Sequence, residues 1–265
     1  MKWNLISHEL RQNRRGFYTC LMITLIFIVM LLGKADAFVD NPEMEKLIQG
    51  MPDGLLKAFG IQVESFRTFE GYLATQVFPY FIVIVSSFAA AWAAGSIAKE
   101  RDRGTGEYLF TLPYSRFMIF SSKAAAHLLH MTLVFLCGSL LLFLLAQSSG
   151  HMMRPTDMFR LLFAGYLLVL SLMGIGYALT SWVASDRTAV SVGAGIAVLA
   201  FLLNLLAGSS EMMQKLSALS PYRLFDAFDI VKGESLTVAC WIVTLGLYAV
   251  GTAAGVFILK RRDIG

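Results

Sequence analysis

Long apolar stretches separated by shorter polar segments dominate the chain. Six of these stretches are long enough to cross the roughly 30 Å hydrocarbon core of a bilayer as helices. Their predicted bounds are residues 17–33, 71–98, 124–147, 161–184, 188–207 and 237–259. None of the six contains Asp, Glu, Lys or Arg, and none shows the two-residue alternation of a barrel strand. Because backbone groups in lipid must be satisfied within the segment, the pattern predicts an all-α membrane protein with six transmembrane helices.

The composition agrees with this fold class and excludes others. Apolar residues make up 57% of the chain and charged residues only 15%, whereas soluble domains average about 45–50% and about 25%. The three cysteines lie far apart within apolar stretches, so we expect neither a disulfide framework nor a zinc site. The chain also lacks the phosphate-binding pattern G-x-x-x-x-G-K-[ST], so we expect no nucleotide site, no cofactor and no catalytic residue of its own.

The charges predict how the chain is oriented. Six spans place both termini on one side, and the segments on that side hold 13 Lys/Arg and 6 Asp/Glu, a net charge of +7. The opposite segments hold 9 Lys/Arg and 12 Asp/Glu, a net charge of −3. The positive-inside rule therefore predicts that both termini are cytoplasmic. Since the basic residues cluster beside apolar segments, membrane topology explains them and no nucleic acid partner is expected.

The first 15 residues form an amphipathic pattern. Apolar Trp3, Ile6 and Leu10 recur at helical spacing among basic residues, which predicts an interfacial helix that runs into the first span. In this interpretation the membrane anchors are Trp3, Arg11, Arg14 and Arg15. The alternative is an ordinary basic flank that only fixes orientation. Glu9, with its neighbour His8, is expected on the polar face of this helix.

Three segments between the spans carry further information. The outer segments 34–70 and 208–236 are predicted to contain short helices, the second packed partly back into the membrane. The segment 96–123, between spans two and three, combines a charged cluster, a Gly-Thr-Gly break, a short amphipathic stretch and a proline. This pattern predicts a short surface helix on the cytoplasmic side, and the alternative is a plain positively charged loop.

The segment 96–123 resembles the membrane subunits of ABC-2 type transporters, the six-span permeases of ATP-driven bacterial exporters. The matching residues are Glu100, Arg101, Gly104, Thr105, Glu107, Pro113, Ser115, Arg116 and Lys123. Gly106 departs from the family pattern, which more often has a leucine-like residue there. The N-terminal segment and both outer segments also look like this family, so the resemblance extends over the whole chain as a single permease domain.

The resemblance implies an ABC-2 (type V) exporter-like fold with a coupling helix between spans 2 and 3. It implies that residues from this segment contact a separate ATPase, namely Glu100, Arg101, Gly104, Thr105, Glu107, Pro113, Ser115 and Arg116. The implied partners are two copies of that ATPase, which bind ATP and Mg, a second permease subunit in a homodimer or heterodimer, and membrane lipid. The implied location is the bacterial plasma membrane.

Other classes of membrane protein are less consistent with the residues. A secondary transporter or channel would be expected to carry charged groups inside its spans. An intramembrane enzyme would need a nucleophile and base, or a metal cluster, at one depth. His127 and His130 share a helical face, but metal sites need three or four ligands, so polar residues near the membrane interface are the favoured interpretation. Gly251 and Gly255 permit close helix approach, either within one subunit or across a dimer.

Overall fold

The structure is a computed structural model that describes residues 3–58, 63–102, 104, 114–148, 154–180, 182–183, 185–234 and 236–261. The described residues form helices and connecting turns, and they include six helices long and apolar enough to cross a membrane. We call them spans 1 to 6. Their bounds are Arg14–Leu32, Phe69–Asp102, Arg116–Ser148, Pro155–Leu179, Asp186–Leu205 and Val238–Arg261. The prediction of an all-α fold with six transmembrane helices is confirmed.

Spans 3 and 4 differ most from their predicted bounds, because polar residues continue the helix at their starts. Span 3 begins at Arg116, eight residues before its predicted start, and therefore includes Lys123. Span 4 begins at Pro155 and ends at Leu179, so it lies about five residues earlier than predicted at both ends. An uncharged stretch marks the lipid-crossing part of a helix, but the backbone hydrogen bonds of the helix continue past it. The connection between spans 2 and 3 is accordingly shorter than expected.

A separate helix, Trp3–Gln12, precedes span 1 and packs against span 3. Ile6 and Glu9 are its buried residues, whereas Trp3 is exposed. The amphipathic helix was predicted correctly, but the placement of Glu9 on the polar interfacial face was wrong. The side of the helix that meets the protein contains Ile6 and Glu9, three positions apart, which places both side chains on one helical face.

Spans 2 and 4 are the most buried of the six, and close backbone contacts surround them. Span 2 packs on spans 4 and 5, and span 4 packs on span 6. A Cβ at Gly251 in span 6 would overlap the backbone of Gly174 in span 4, and a Cβ at Gly255 would lie 2.7 Å from the Tyr177 carbonyl oxygen. The two glycines of the G-x-x-x-G pattern therefore allow close packing within one subunit.

Span 2 contains a π-helical turn near its start. Residues Leu73–Val77 form this turn, and the Phe78 N–H donates to the Leu73 carbonyl, five positions back. Pro79 follows directly and has no N–H to donate to the Thr75 carbonyl, so an unbroken α-helical ladder is impossible here. The Thr75 hydroxyl donates to the Gly71 carbonyl at 2.8 Å. Single π turns of this kind insert one residue into a helix without ending it.

Short helices cover the face of the bundle opposite to the termini. They are Ala35–Phe38, Pro42–Gln49, Asp53–Ala58, Val63–Phe66, Leu206–Gly208, Glu211–Ser217, Pro221–Leu224 and Ala227–Val231. Arg67, which follows Val63–Phe66, donates a hydrogen bond to Glu45 of Pro42–Gln49 at 2.5 Å, and this contact raises the pKa of the Arg67 guanidinium. The segment from Ser220 packs inward: the Tyr222 and Ser86 hydroxyls are 2.6 Å apart, and Ser220 donates to the Ala200 carbonyl at 2.7 Å.

Candidate functional site

The candidate site is the end of the bundle that carries both termini, which we call the terminal face. It comprises the N-terminal helix, the end of span 2, the starts of spans 3 and 5 and the end of span 6. Span 2 ends at Asp102 and span 3 begins at Arg116, so the segment predicted to meet an ATPase connects these two residues. Gly104 has a φ of +65°, in the left-handed region where glycine carries no steric cost, and this conformation stops the helix of span 2.

Three charged side chains are buried together at the terminal face. The Lys123 ammonium lies 2.5 Å from Glu9 Oε1 and 2.8 Å from Glu100 Oε1. All three residues are less than 10% exposed. They come from the N-terminal helix, span 2 and span 3, so one lysine holds three elements together. Removing charges from water is costly, and the pairing compensates for that cost only while every partner is present.

A second contact joins the N-terminal helix region to span 2. Lys99 donates to the Asn13 side-chain oxygen at 2.5 Å, one residue before the buried Glu100. Asn13 lies at the junction between the N-terminal helix and span 1. Lys99 at the end of span 2 therefore contacts the junction at Asn13. The neighbouring Glu100 is linked to the N-terminal helix through Lys123, which also contacts Glu9.

Two further polar contacts join the ends of the connecting segment to spans 5 and 6. The Asp102 carboxylate accepts a hydrogen bond from the Asp186 backbone N–H at the start of span 5, at 2.6 Å. Arg116 donates to the Leu259 carbonyl near the end of span 6, at 3.1 Å. Ser115 caps span 3, because its hydroxyl accepts a hydrogen bond from the Met118 N–H at 3.2 Å. A displacement of this segment would therefore act directly on spans 3, 5 and 6.

Comparison with protein families gives a match over almost the whole chain. Residues 3–264 match the family described as ABC-2 family transporter protein. The chain belongs to the ABC-2 transporter family. It is thus the membrane-spanning permease of an ABC transporter, a transport subunit of a kind that typically works with an ABC ATPase. No individual curated protein matches the chain.

In this permease, the residues predicted to contact an ATPase fall into two groups. The structure describes Glu100, Gly104, Ser115 and Arg116. Contacts within the chain are made by Glu100, Ser115 and Arg116, and Gly104 has a left-handed backbone conformation. Thr105, Glu107 and Pro113 lie outside the described residues, as does the predicted coupling helix, and for Arg101 only the helical backbone is described. The contact between these residues and an ATPase stays a prediction.

The predicted interfacial anchors of the permease lie at the surface. Trp3, Arg11, Arg14 and Arg15 are all exposed on the N-terminal helix or at the start of span 1. Arg11 also donates to the Ser7 hydroxyl at 3.3 Å, one turn earlier on the same helix. Their exposure leaves the basic groups accessible to lipid headgroups, and the anchoring role stays a prediction.

His127 and His130 of the permease pack into the protein interior. His127 Nδ1 lies 3.3 Å from the Tyr177 hydroxyl, and His130 stacks on the Phe17 ring with centroids 4.8 Å apart. In the part of the chain that the structure describes, no group of three His, Cys, Asp or Glu side chains is placed to hold a metal ion. Both imidazoles therefore pack against aromatic rings of the bundle interior.

The sequence interpretation missed several residues that organise the terminal face. They are Glu9, Asn13, Lys99, Asp102 and Asp186. A usable signal existed for Glu9, because it shares a helical face with Ile6 while the other polar residues of helix Trp3–Gln12 do not. The remaining contacts join residues 84 or more positions apart, and no local pattern indicates such pairs.

Proposed function

We propose that this permease forms the substrate path of an ATP-driven exporter and that its ATPase binds at the terminal face, on the segment between Asp102 and Arg116. The observation that carries the proposal is the set of contacts on either side of that segment. Asp102 contacts span 5 and Arg116 contacts span 6, while Glu100 contacts Lys123, which in turn contacts Glu9 of the N-terminal helix. A force applied to the segment would act on most of the bundle.

Partner contacts in this proposal follow from the family resemblance. The ATPase-contacting residues are Glu100, Arg101, Gly104, Thr105, Glu107, Pro113, Ser115 and Arg116. Glu100 has a double role in this scheme, because its carboxylate also holds Lys123 inside the permease. ATP binding can shift the inward and outward states only by its difference in affinity for them, so a stiff connection between the ATPase and the spans makes coupling efficient.

The proposed assembly contains two permease subunits and two ATPase subunits. ATP and Mg are bound by the ATPase, because this chain contains no P-loop. Spans 1, 5 and 6 support a second permease as neighbour, since each buries only about a fifth of its apolar stretch within one subunit and carries exposed apolar side chains such as Ile26, Leu199 and Val250. Whether the second subunit is identical or homologous is left open in this proposal.

The proposed location is the bacterial plasma membrane, with the terminal face in the cytoplasm. The charge difference between the two sides supports this orientation, because Lys and Arg are concentrated beside cytoplasmic ends of spans. In this orientation the exposed Arg11, Arg14 and Arg15 lie at the level of the inner-leaflet headgroups. An ATPase in the cytoplasm could then reach the connecting segment.

Glu107→Arg tests the proposal. If Glu107 contacts the ATPase, reversing its charge weakens ATPase binding by about thirtyfold, which corresponds to about 2 kcal/mol at an interface hot spot. The measurement is copurification of the ATPase with the permease, together with transport by reconstituted vesicles. Glu234→Arg is the matched control, because Glu234 is exposed on the opposite face. Equal ATPase binding and transport by both variants would show that Glu107 is only a solvated charge.

A further inference from the structure

Spans 3 and 4 leave a groove of about 600 Å³ between them, far from the contacts of the terminal face. Its walls are residues 132–143 of span 3 and 155–166 of span 4, and almost all of the lining surface is apolar. Leu136, Leu140 and Phe159 line the groove and are each more than half exposed, so it opens on the outside of the bundle. The volume lies within the range of small-molecule binding sites.

The length of the groove matches one leaflet of a bilayer. Residues 132–143 extend about 16 Å along span 3 at 1.5 Å per residue, which is close to half of the roughly 30 Å hydrocarbon core. The inner end is closed by Thr132 and Tyr166, whose hydroxyls lie 2.7 Å apart. The other end, at Pro155, lies at the face opposite to the termini.

The groove is long and narrow. Its volume of about 600 Å³ extends over about 16 Å, and it is open along the outside of the bundle. An α-helix with its side chains measures about 10–12 Å across and would have to lie over such a groove, whereas a single extended hydrocarbon chain can lie within it.

A basic residue lies at the open end. Arg154 immediately precedes the lining residue Pro155, and its exposed side chain makes no ion pair with any described residue. Arg160 lies about one and a half turns further along the groove, and its guanidinium is 3.7 Å from the Asp157 carboxylate. Cations at the boundary of a leaflet attract anionic lipid headgroups.

We propose that this groove binds one acyl chain of an anionic phospholipid from the adjacent leaflet, with the headgroup phosphate beside Arg154. The apolar walls hold the chain, and the closed end at Thr132 and Tyr166 limits its depth. Ser139 is the smallest side chain of the lining and keeps the middle of the groove open. Its hydroxyl has no hydrogen-bond partner among the described residues, so replacing Ser139 sacrifices no hydrogen bond.

Native mass spectrometry after purification from membranes of phosphatidylglycerol and phosphatidylethanolamine tests the groove. The parent chain is expected to retain about one phosphatidylglycerol. Ser139→Phe fills the groove and is expected to reduce this retention at least tenfold, whereas Arg154→Gln is expected to remove the preference for phosphatidylglycerol. The control is Leu245→Phe, since Leu245 is exposed at a similar depth on span 6. Equal retention by Ser139→Phe and the control would overturn the proposal.

A photoreactive benzoylphenylalanine at position 140 provides a test that does not depend on how Ser139→Phe folds. Leu140 lines the groove and is exposed, so the probe points to whatever occupies it. Irradiation in cell membranes is expected to give adducts with the mass of a phospholipid. Adducts with a polypeptide would show that a protein covers the groove and would overturn the proposal.

Discussion

Asp102, the last residue of span 2, acts as the helix cap of span 5: its carboxylate accepts a hydrogen bond from the Asp186 N–H at 2.6 Å. Span 5 has a serine, Ser185, at its own N-cap position, but that side chain makes no capping hydrogen bond. The acceptor that a helix start normally takes from its own chain neighbour comes here from another helix. The connecting segment and span 5 are therefore joined by one side chain.

The capping contact predicts the effect of Asp102→Ala. Loss of a capping acceptor costs about 0.5–2 kcal/mol of stability, and Asp102→Asn should retain most of it because the amide oxygen can still accept. Thermal unfolding of the purified chain in detergent measures the difference. Asp36→Ala, which removes an exposed carboxylate on the opposite face, is the control. An unchanged melting temperature for Asp102→Ala would refute a capping role.

The buried ion cluster predicts a strong effect of Lys123→Met. This change leaves Glu9 and Glu100 buried without their shared partner, and breaking a buried ion pair in this way costs about 3–5 kcal/mol. The triple variant Glu9→Gln, Glu100→Gln, Lys123→Met should regain most of the lost stability because no charge remains. Chemical or thermal unfolding in detergent would measure both.

Lys232→Met is the matched control for that experiment. Lys232 is exposed on the opposite face and lies 3.9 Å from Glu64, so its loss should cost less than about 1 kcal/mol. If Lys123→Met were as stable as Lys232→Met, the cluster would contribute nothing to holding the N-terminal helix on span 3.

The contact between spans 4 and 6 predicts that Gly251 accepts no larger residue. Gly251→Leu would force a side chain into the backbone of Gly174, and overpacking of this kind costs about 1–3 kcal/mol or more. The expected result is a lower melting temperature and less protein in the membrane. Gly246→Leu, on the same span but with open space around its Cβ position, should be tolerated. Equal expression and stability of the two would contradict the close approach.

The proposed orientation predicts which positions a membrane-impermeant thiol reagent reaches. Cysteines at Lys46 and Lys215, both exposed on the opposite face, should react in intact cells, whereas a cysteine at Arg103 should not. The background for all three is Cys137→Ala, since Cys137 is an exposed native cysteine. Labelling of Arg103→Cys from outside the cell would reverse the topology.

The six helices follow from the sequence because each apolar stretch must satisfy its backbone within itself in lipid. The same physical rule makes their ends harder to predict. Lys123 and Glu100 interrupt the apolar pattern, which predicts that they belong to a loop. Both nevertheless lie inside continuous helices, where they pair with each other and Lys123 also pairs with Glu9. A buried charge is compatible with a span only when a group of opposite charge lies beside it. That partner can be far away in the sequence, so a local pattern does not reveal it.

The sequence indicates one end of the bundle but not the contacts made there. The family pattern between Glu100 and Lys123 points to the end that carries both termini. It does not indicate that Glu9 is the second partner of Lys123 or that Arg116 reaches Leu259, because those contacts depend on how six helices are arranged around one another. The alternatives left open for Gly251 and Gly255 were decided by the same arrangement.

The π turn at Leu73–Val77 sets the angular register of span 2. One additional residue turns everything beyond it by about 100° around the helix axis, relative to the residues before it. Ser86 lies beyond the turn and faces Tyr222. Deleting one residue between Leu73 and Val77 would rotate Ser86 away from Tyr222 or turn the start of the span away from its own neighbours. The length of span 2, as well as its composition, thus determines which side chains meet across the bundle.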